Sequence, residues 1–198
     1  MLVEPTARMT PKEYLEAERK ADLKSEYLAG EVFAMAGAGE SHNLIVANLI
    51  VGLGTQLRKR PCRVYPSDMR VLVRETGLYT YPDVAVVCGE PRFLDDRRDT
   101  LLNPTLLVEV LSESTEAYDR GKKFEHYREI ESLQEYLLVS PTEPSLERFL
   151  RQEAGTWLFS EARGLGAAAE LASIGCTLML AEVYEKVEGI GAPRVEAP

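Results

Sequence analysis

Residues 106–127 read L-L-V-E-V-L-S-E-S-T-E-A-Y-D-R-G-K-K-F-E-H-Y. The first half, Leu106 to Leu111, has the composition of a strand covered on both faces. Glu109 interrupts that aliphatic run. A carboxylate in such surroundings is costly unless it is paired, hydrogen-bonded or bound to a metal. Strand alternation gives Leu107, Glu109 and Leu111 a common face. The second half turns helical and sets Asp119 and Lys123 four residues apart, on one helix face.

Working outward, the same alternation of strand and helix recurs. Residues 10–20 predict a helix: Thr10 is the N-cap, Pro11 takes the first helical position, and Glu13 completes a capping box. The stretch S-E-Y-L-A-G-E-V-F-A-M-A predicts two short strands around a turn at Ala29-Gly30, with Glu31 opening the second. Val46, Ile50, Leu53 and Leu57 keep helical spacing over 42–58, with Ser41 as the expected N-cap. Strands are predicted near 63–65, 69–73, 84–87 and 135–140, separated by Gly- and Pro-containing turns. Residues 91–104 read as a loop. A hairpin is expected at 146–150 and 156–160, an extended segment at 172–178, and a short helix at 180–187. No repeat or linker divides the chain, so the expectation is one α/β or α+β domain over 1–189. It has a mixed central sheet flanked by helices, with a frayed tail at 190–198.

Composition narrows the function. At 198 residues, with 45% hydrophobic and 28% charged side chains, the chain has the balance of a water-soluble domain. It contains no apolar run near the roughly 20 residues of a membrane span. The first ten residues lack a basic-then-apolar leader pattern, so the expected location is the cytoplasm and no membrane partner is expected. Cys62, Cys88 and Cys176 are widely spaced and form no C-x-x-C pair, which predicts buried thiols rather than a disulfide framework or a zinc site. With His42 and His126 as the only histidines, a metal would be held mostly by carboxylates, which suits Mg²⁺ or Mn²⁺. A net charge of −9 argues against a nonspecific nucleic-acid coat but leaves room for local basic clusters, such as Arg120, Lys122 and Lys123.

Asp83 supplies the acid that Glu109 lacks. It follows Pro82 and leads the apolar run Val84 to Val87, so it enters a strand directly and shares a face with Ala85 and Val87. If the Asp83 and Glu109 strands pair, the two carboxylates converge on a cation, which would relieve both their repulsion and their burial cost. Such a cation activates water for attack on a phosphodiester. Lys123, returned toward the strand by the following helix, would orient that water or stabilise the developing charge. The bland alternatives are a turn acid at 83 and a solvated Asp-Lys helix pair.

Several segments, in order, resemble the Uma-two family of restriction-endonuclease-like proteins, a branch of the PD-(D/E)XK nuclease superfamily. They are Y-P-D-V-A-V-V at 81–87, N-P-T-L-L-V-E-V-L-S-E-S-T at 103–115, Y-D-R-G-K-K-F-E-H-Y at 118–127 and S-L-Q-E-Y-L-L-V at 132–139. G-E-V-F-A-M-A-G at 30–37, Ser41-His42 and S-D-M-R-V at 67–71 match more weakly. The resemblance implies a restriction-endonuclease-like fold and Asp83 and Glu109 as ligands of Mg²⁺ or Mn²⁺. It also implies the carbonyl of Val110 and the side chain of Glu31 as further ligands. The chain departs from the superfamily signature at Leu111, where E-X-K places its lysine. The resemblance implies that Lys123 takes over that role from the helix, with the adjacent Lys122 as the alternative. His42 and Gln134 are candidates for supporting the site.

The reading that follows is a Mg²⁺- or Mn²⁺-dependent endonuclease acting on DNA. Homodimerisation is a candidate because cutting two strands needs two sites. The alternative is a non-catalytic nucleic-acid- or protein-binding module on a nuclease fold, favoured by the acidic balance and the missing E-X-K lysine. A hydrolase of smaller phosphodiesters is a third option.

Overall fold

The computed structural model describes residues 8–190; the expected tail lies outside these beyond Ile190. Helix α1 (Pro11–Glu18) starts where the capping box sets it, with both Thr10–Glu13 bonds formed. Strands β1 (Ser25–Leu28) and β2 (Glu31–Ala34) form a two-residue hairpin through Ala29 and Gly30. Both loop residues have positive φ, 52° and 95°, as a hairpin turn matched to strand twist requires. Helix α2 runs Glu40–Leu57 and begins earlier than expected: Gly39, not Ser41, is its N-cap, and Ser41 lies inside the first turn.

Six strands form the central sheet, in the order β11-β10-β9-β8-β6-β3. They are β3 (Cys62–Pro66), β6 (Val84–Cys88), β8 (Leu106–Val110), β9 (Glu135–Val139), β10 (Ser145–Arg151) and β11 (Trp157–Arg163). β8 and β9 pair in parallel, and the other neighbours are antiparallel. The sheet is therefore mixed, as expected. The helical chain between β8 and β9 supplies the crossover that a parallel pair needs.

The rest of the β structure lies outside this sheet. β1 and β2 belong to a five-stranded sheet, β2-β1-β5-β4-β7, with β4 (Arg70–Val73), β5 (Leu78–Thr80) and β7 (Thr100–Leu101). β7 falls within the segment expected to be loop; a two-residue strand is too short to show a pattern in sequence. β12 (Ala168–Leu171) and β13 (Cys176–Met179) form a separate hairpin, and α5 spans only Leu180–Val183.

Alternation along β6, β8 and β9 sorts their side chains between two cores. Val84, Val86, Leu106, Val108, Val110, Leu137 and Val139 meet Ile45, Leu49, Leu53 and Leu57 of α2 and the β12–β13 hairpin. Ala85, Val87, Leu107, Leu111, Tyr136 and Leu138 face the other way, against Val71, Val73 and Leu78 of the five-stranded sheet. Helix α1 covers the far side of that second sheet, packing Tyr14 and Leu15 against Tyr27, Leu72 and Tyr79 of its strands. The near-continuous apolar composition of β8 follows from having a core on each side.

The cysteine reading is corrected. Cys62 and Cys88 are cross-strand partners in the β3–β6 ladder, with Cα atoms 4.0 Å apart, and form a disulfide. Their separation of 26 residues hides an adjacency that only strand pairing creates. Cys176 is a buried free thiol, as expected. Among the described residues no helix is long and apolar enough to cross a membrane.

Leu106 is fully buried on the central strand. Leu106→Ala should cost about 2–5 kcal/mol of unfolding free energy. Urea denaturation of the two proteins measures it, and a loss below about 1 kcal/mol would contradict the two-core packing.

Candidate functional site

The β6–β8 ladder ends with Val84 paired to Val108, so Asp83 directly precedes the ladder on one strand and Glu109 directly follows Val108 on the other. Glu109 shares the face of Leu107 and Leu111, which looks toward the five-stranded sheet, whereas Asp83 makes its contacts with the β8 backbone and with α2. Asp83 is fixed by two contacts to one oxygen: Oδ2 accepts the Val110 N–H at 2.7 Å and lies 3.1 Å from Nε2 of His42. Val110 therefore uses its N–H to orient Asp83, while His42 reaches in from the first turn of α2. The other imidazole nitrogen, Nδ1, is buried without a hydrogen-bond partner.

Glu109 is only 4% exposed and engages two donors at Oε1. The Tyr127 hydroxyl donates at 2.7 Å and the Lys123 ammonium lies 3.0 Å away. Lys123 is itself buried. Its Nζ lies 3.3 Å from Oε1 of Glu26 and 3.4 Å from Oδ1 of Asp119. Glu26 is further held by the Thr80 hydroxyl, which donates to its Oε1. One ammonium therefore joins carboxylates from β1, β8 and its own helix.

Local backbone geometry turns the helical acid and lysine inward. The helix is interrupted: α3 (Glu116–Tyr118) leads into a π turn at Asp119–Lys123, and α4 (Phe124–Tyr127) resumes the α-helix. Such turns replace i→i+4 bonding by i→i+5 and occur frequently at functional sites. Here the turn is pinned from both sides. The Tyr136 hydroxyl donates to the Asp119 carbonyl at 3.1 Å, and the Phe124 ring stacks on Tyr136 with centroids 5.2 Å apart. The Asp119–Lys123 pair is thus buried, not the solvated helix pair of the bland reading.

Burial, the largest influence, pushes the Glu109 carboxyl up to about 8 against the pull of Lys123. Burial also raises Asp119. For Lys123, burial pulls downward, but Glu109, Glu26 and Asp119 together outweigh it and hold the ammonium well above its ordinary value. The lysine therefore stays charged, while part of the surplus negative charge is relieved by protonation. Three acids facing one base leave a deficit of positive charge that a cation can fill.

Of the residues singled out from sequence, Asp83, His42 and the Val110 N–H make one set of contacts and Glu109 and Lys123 another, the two adjoining along the chain at Glu109-Val110. Lys122 is exposed, so Lys123 is the lysine that faces the acids. Glu31 stands exposed at the start of the edge strand β2, and Glu26 is the hairpin acid that reaches the cluster. Gln134 precedes β9 beside Thr105, at the opposite end of the parallel β8–β9 pair. It is four residues in register from Glu109, about 13 Å along the strand. Sequence reading missed Glu26, Thr80 and Tyr127. The signal for Glu26 was an acid between Ser25 and Tyr27 in a short strand, too brief for alternation to mark it as inward.

The donor chemistry fits a Mg²⁺-like ion. Such ions commonly take one or two carboxylates and complete their shell with water and substrate oxygens. Asp83, directly before β6, and Glu109, on the adjoining β8, supply two hard oxygen donors. Among the described residues no group of three His, Cys, Asp or Glu side chains is arranged to hold an ion. A site closed by protein ligands alone, as in structural zinc centres, is therefore not what the geometry offers.

Comparison with known proteins agrees in scope. The family model Uma2, described as "Putative restriction endonuclease", matches residues 11–180. Two proteins of Synechocystis sp. (strain ATCC 27184 / PCC 6803 / Kazusa) are similar over nearly their whole length. "Uncharacterized protein sll1609" is 38% identical over 170 residues, 86% of this chain and 96% of the relative. "Uncharacterized protein slr1290" is 37% identical over 182 residues, 91% of this chain and 93% of the relative. A crystal structure titled as a "putative nuclease belonging to DUF820 from Anabaena variabilis ATCC 29413" superposes with a TM-score of 0.71. That match covers 89% of this chain and 97% of the other at 17% identity, which establishes the shared fold.

The raised Glu109 carboxyl sets a pH dependence. The folded state holds this proton to about pH 8, whereas the unfolded state releases it near 4.5. Stability from this group is therefore complete below about 4.5 and declines as pH rises toward 8. Glu109→Gln should flatten the decline, measured by urea denaturation at pH 5, 7 and 9. An unchanged slope would mean that Glu109 is ionised throughout.

Proposed function

The chain belongs to the Uma2 family, and on that premise we propose that it is a Mg²⁺- or Mn²⁺-dependent endonuclease hydrolysing phosphodiester bonds of DNA. The observation that carries this reading is the buried Glu109–Lys123 pair, with Asp83 held beside it by the N–H of the next residue, Val110. Two carboxylates and a charged lysine are the groups that metal-assisted phosphodiester hydrolysis needs, and their burial gives electrostatic interactions more weight than in water.

Asp83 and Glu109 would hold the ion, with the Val110 carbonyl as a further donor. When bound, such an ion supplies polarisation of the phosphoryl group and a more acidic water for in-line attack. The protein's own residues do the remainder. The Val110 N–H and His42 fix the Asp83 carboxylate, and the Tyr127 hydroxyl fixes Glu109. Lys123, adjacent to Glu109, would orient the attacking water and stabilise charge developing on the phosphate. The expected setting is the cytoplasm, with homodimerisation as the route to cutting both strands.

A second reading has its own support. Lys123 is engaged by three carboxylates, and the chain carries a net charge of −9. Both favour a nuclease fold that binds a nucleic acid or protein without cleaving.

Under the first reading, wild-type protein cleaves plasmid or single-stranded DNA with Mg²⁺ or Mn²⁺. Asp83→Ala and Glu109→Ala should each reduce the rate roughly a hundredfold or more. Cleavage unaffected by both substitutions would sink the assignment. Calorimetric titration with Mn²⁺ separates the two readings: absence of binding at millimolar metal selects the non-catalytic module.

A further inference from the structure

Lys123 is the one basic group of the cluster, and only one of its three carboxylate partners, Glu109, belongs to the proposed metal-holding pair. The other two must be explained. Asp119 lies on the same helical segment, four residues before the lysine, and its Oδ1 is buried without a hydrogen-bond donor. Glu26 is different because it comes from β1 in the other sheet.

Glu26 is built into its position. Its side chain is 12% exposed, and Oε1 faces both the Lys123 ammonium and the Thr80 hydroxyl. Thr80 is fully buried on β5, the strand beside β1. Its Oγ1 lies 3.5 Å from the Tyr127 hydroxyl, which donates to Glu109. The groups Lys123, Glu26, Thr80, Tyr127 and Glu109 therefore close a ring that spans the two sheets. The lysine bridges Glu26 and Glu109 on one side, and two hydroxyls line the other.

A lysine side chain has four rotatable bonds, and its ammonium is a point charge without a preferred plane. A single carboxylate would leave it free to pivot about that partner. Two carboxylates on separate sheets, with Asp119 as a third, fix Nζ in all directions. Reaction rates are sensitive to such placement, because an error of about 1 Å at a reacting group can cost a hundredfold.

We propose that Glu26 is a positioning residue of the site, acting through Lys123: it holds the ammonium in register with Glu109. The inference rests on the nuclease reading for its catalytic consequence but not for its structural one. Glu31, the acid expected from sequence in that hairpin, is exposed and makes no such contact among the described residues.

The test is Glu26→Gln, which keeps the side-chain shape and removes the charge. Lys123 accessibility is measured by acetic anhydride labelling and fragment mass spectrometry, with exposed Lys122 as the internal reference. Labelling of Lys123 relative to Lys122 should rise severalfold. In Mn²⁺-dependent plasmid cleavage, kcat should fall about a hundredfold, with KM and calorimetric Mn²⁺ affinity little changed. Thr80→Val, which keeps the charge but removes the hydroxyl that fixes Glu26, should move both readouts in the same direction by less. It also serves if Glu26→Gln fails to fold.

Unchanged Lys123 labelling in a folded Glu26→Gln protein would overturn the proposal. So would a freed lysine with undiminished kcat. Increased labelling in a protein whose wild type cleaves nothing would uphold the hold of Glu26 on Lys123 and reject the nuclease reading instead.

Discussion

A buried ammonium, Lys123, ties the two large sheets of this protein together. Glu109 stands on the central sheet, Glu26 on the five-stranded one, and Asp119 on the helix that crosses between β8 and β9. Removing one partner from such a buried group typically costs about 3–5 kcal/mol, because the others keep charges they can no longer neutralise. An apolar replacement of the whole cluster would often be as stable or more so. The cluster is thus an expensive way to join two sheets.

The surroundings are arranged to sustain that expense. Tyr127, Tyr136 and Phe124 are packed around the π turn, and two of their hydroxyls satisfy Glu109 and the Asp119 carbonyl. The aliphatic residues of β6 and β8 fill both cores, so Glu109 stands within a rigid ladder and Asp83 directly before its first pair, tied to it by the Val110 N–H. Groups mounted on paired strands hold their separation better than groups on mobile segments. The same rigidity leaves protonation of Glu109 and Asp119, or a bound cation, as the ways to relieve their mutual repulsion.

The sequence was most informative where the chain must satisfy a local rule. The capping box at Thr10 and Glu13, the Ala29-Gly30 turn, and the β8 strand are all local patterns, and they appear where expected. Glu109 was legible for the same reason: an acid inside an aliphatic strand contradicts its neighbours. Glu26 carried no comparable contradiction, and β7 was too short to show any period. The Cys62–Cys88 pair was missed because adjacency across β3 and β6 is a property of the ladder, not of spacing along the chain.

By itself, then, the sequence determined most of the longer elements, the mixed α/β class, and which residues of β6 and β8 share a face, but not the short strands β5, β7 and β12. These depend on side-chain periodicity and on turn residues, which act over a few positions. Tertiary structure decided the division of the strands between two large sheets and which lysine faces the acids. It also decided which acid of the first hairpin reaches them. Those choices depend on strand register and on a π turn that rotates Asp119 and Lys123 inward. A shift of one residue in either would send the same side chains to the opposite face.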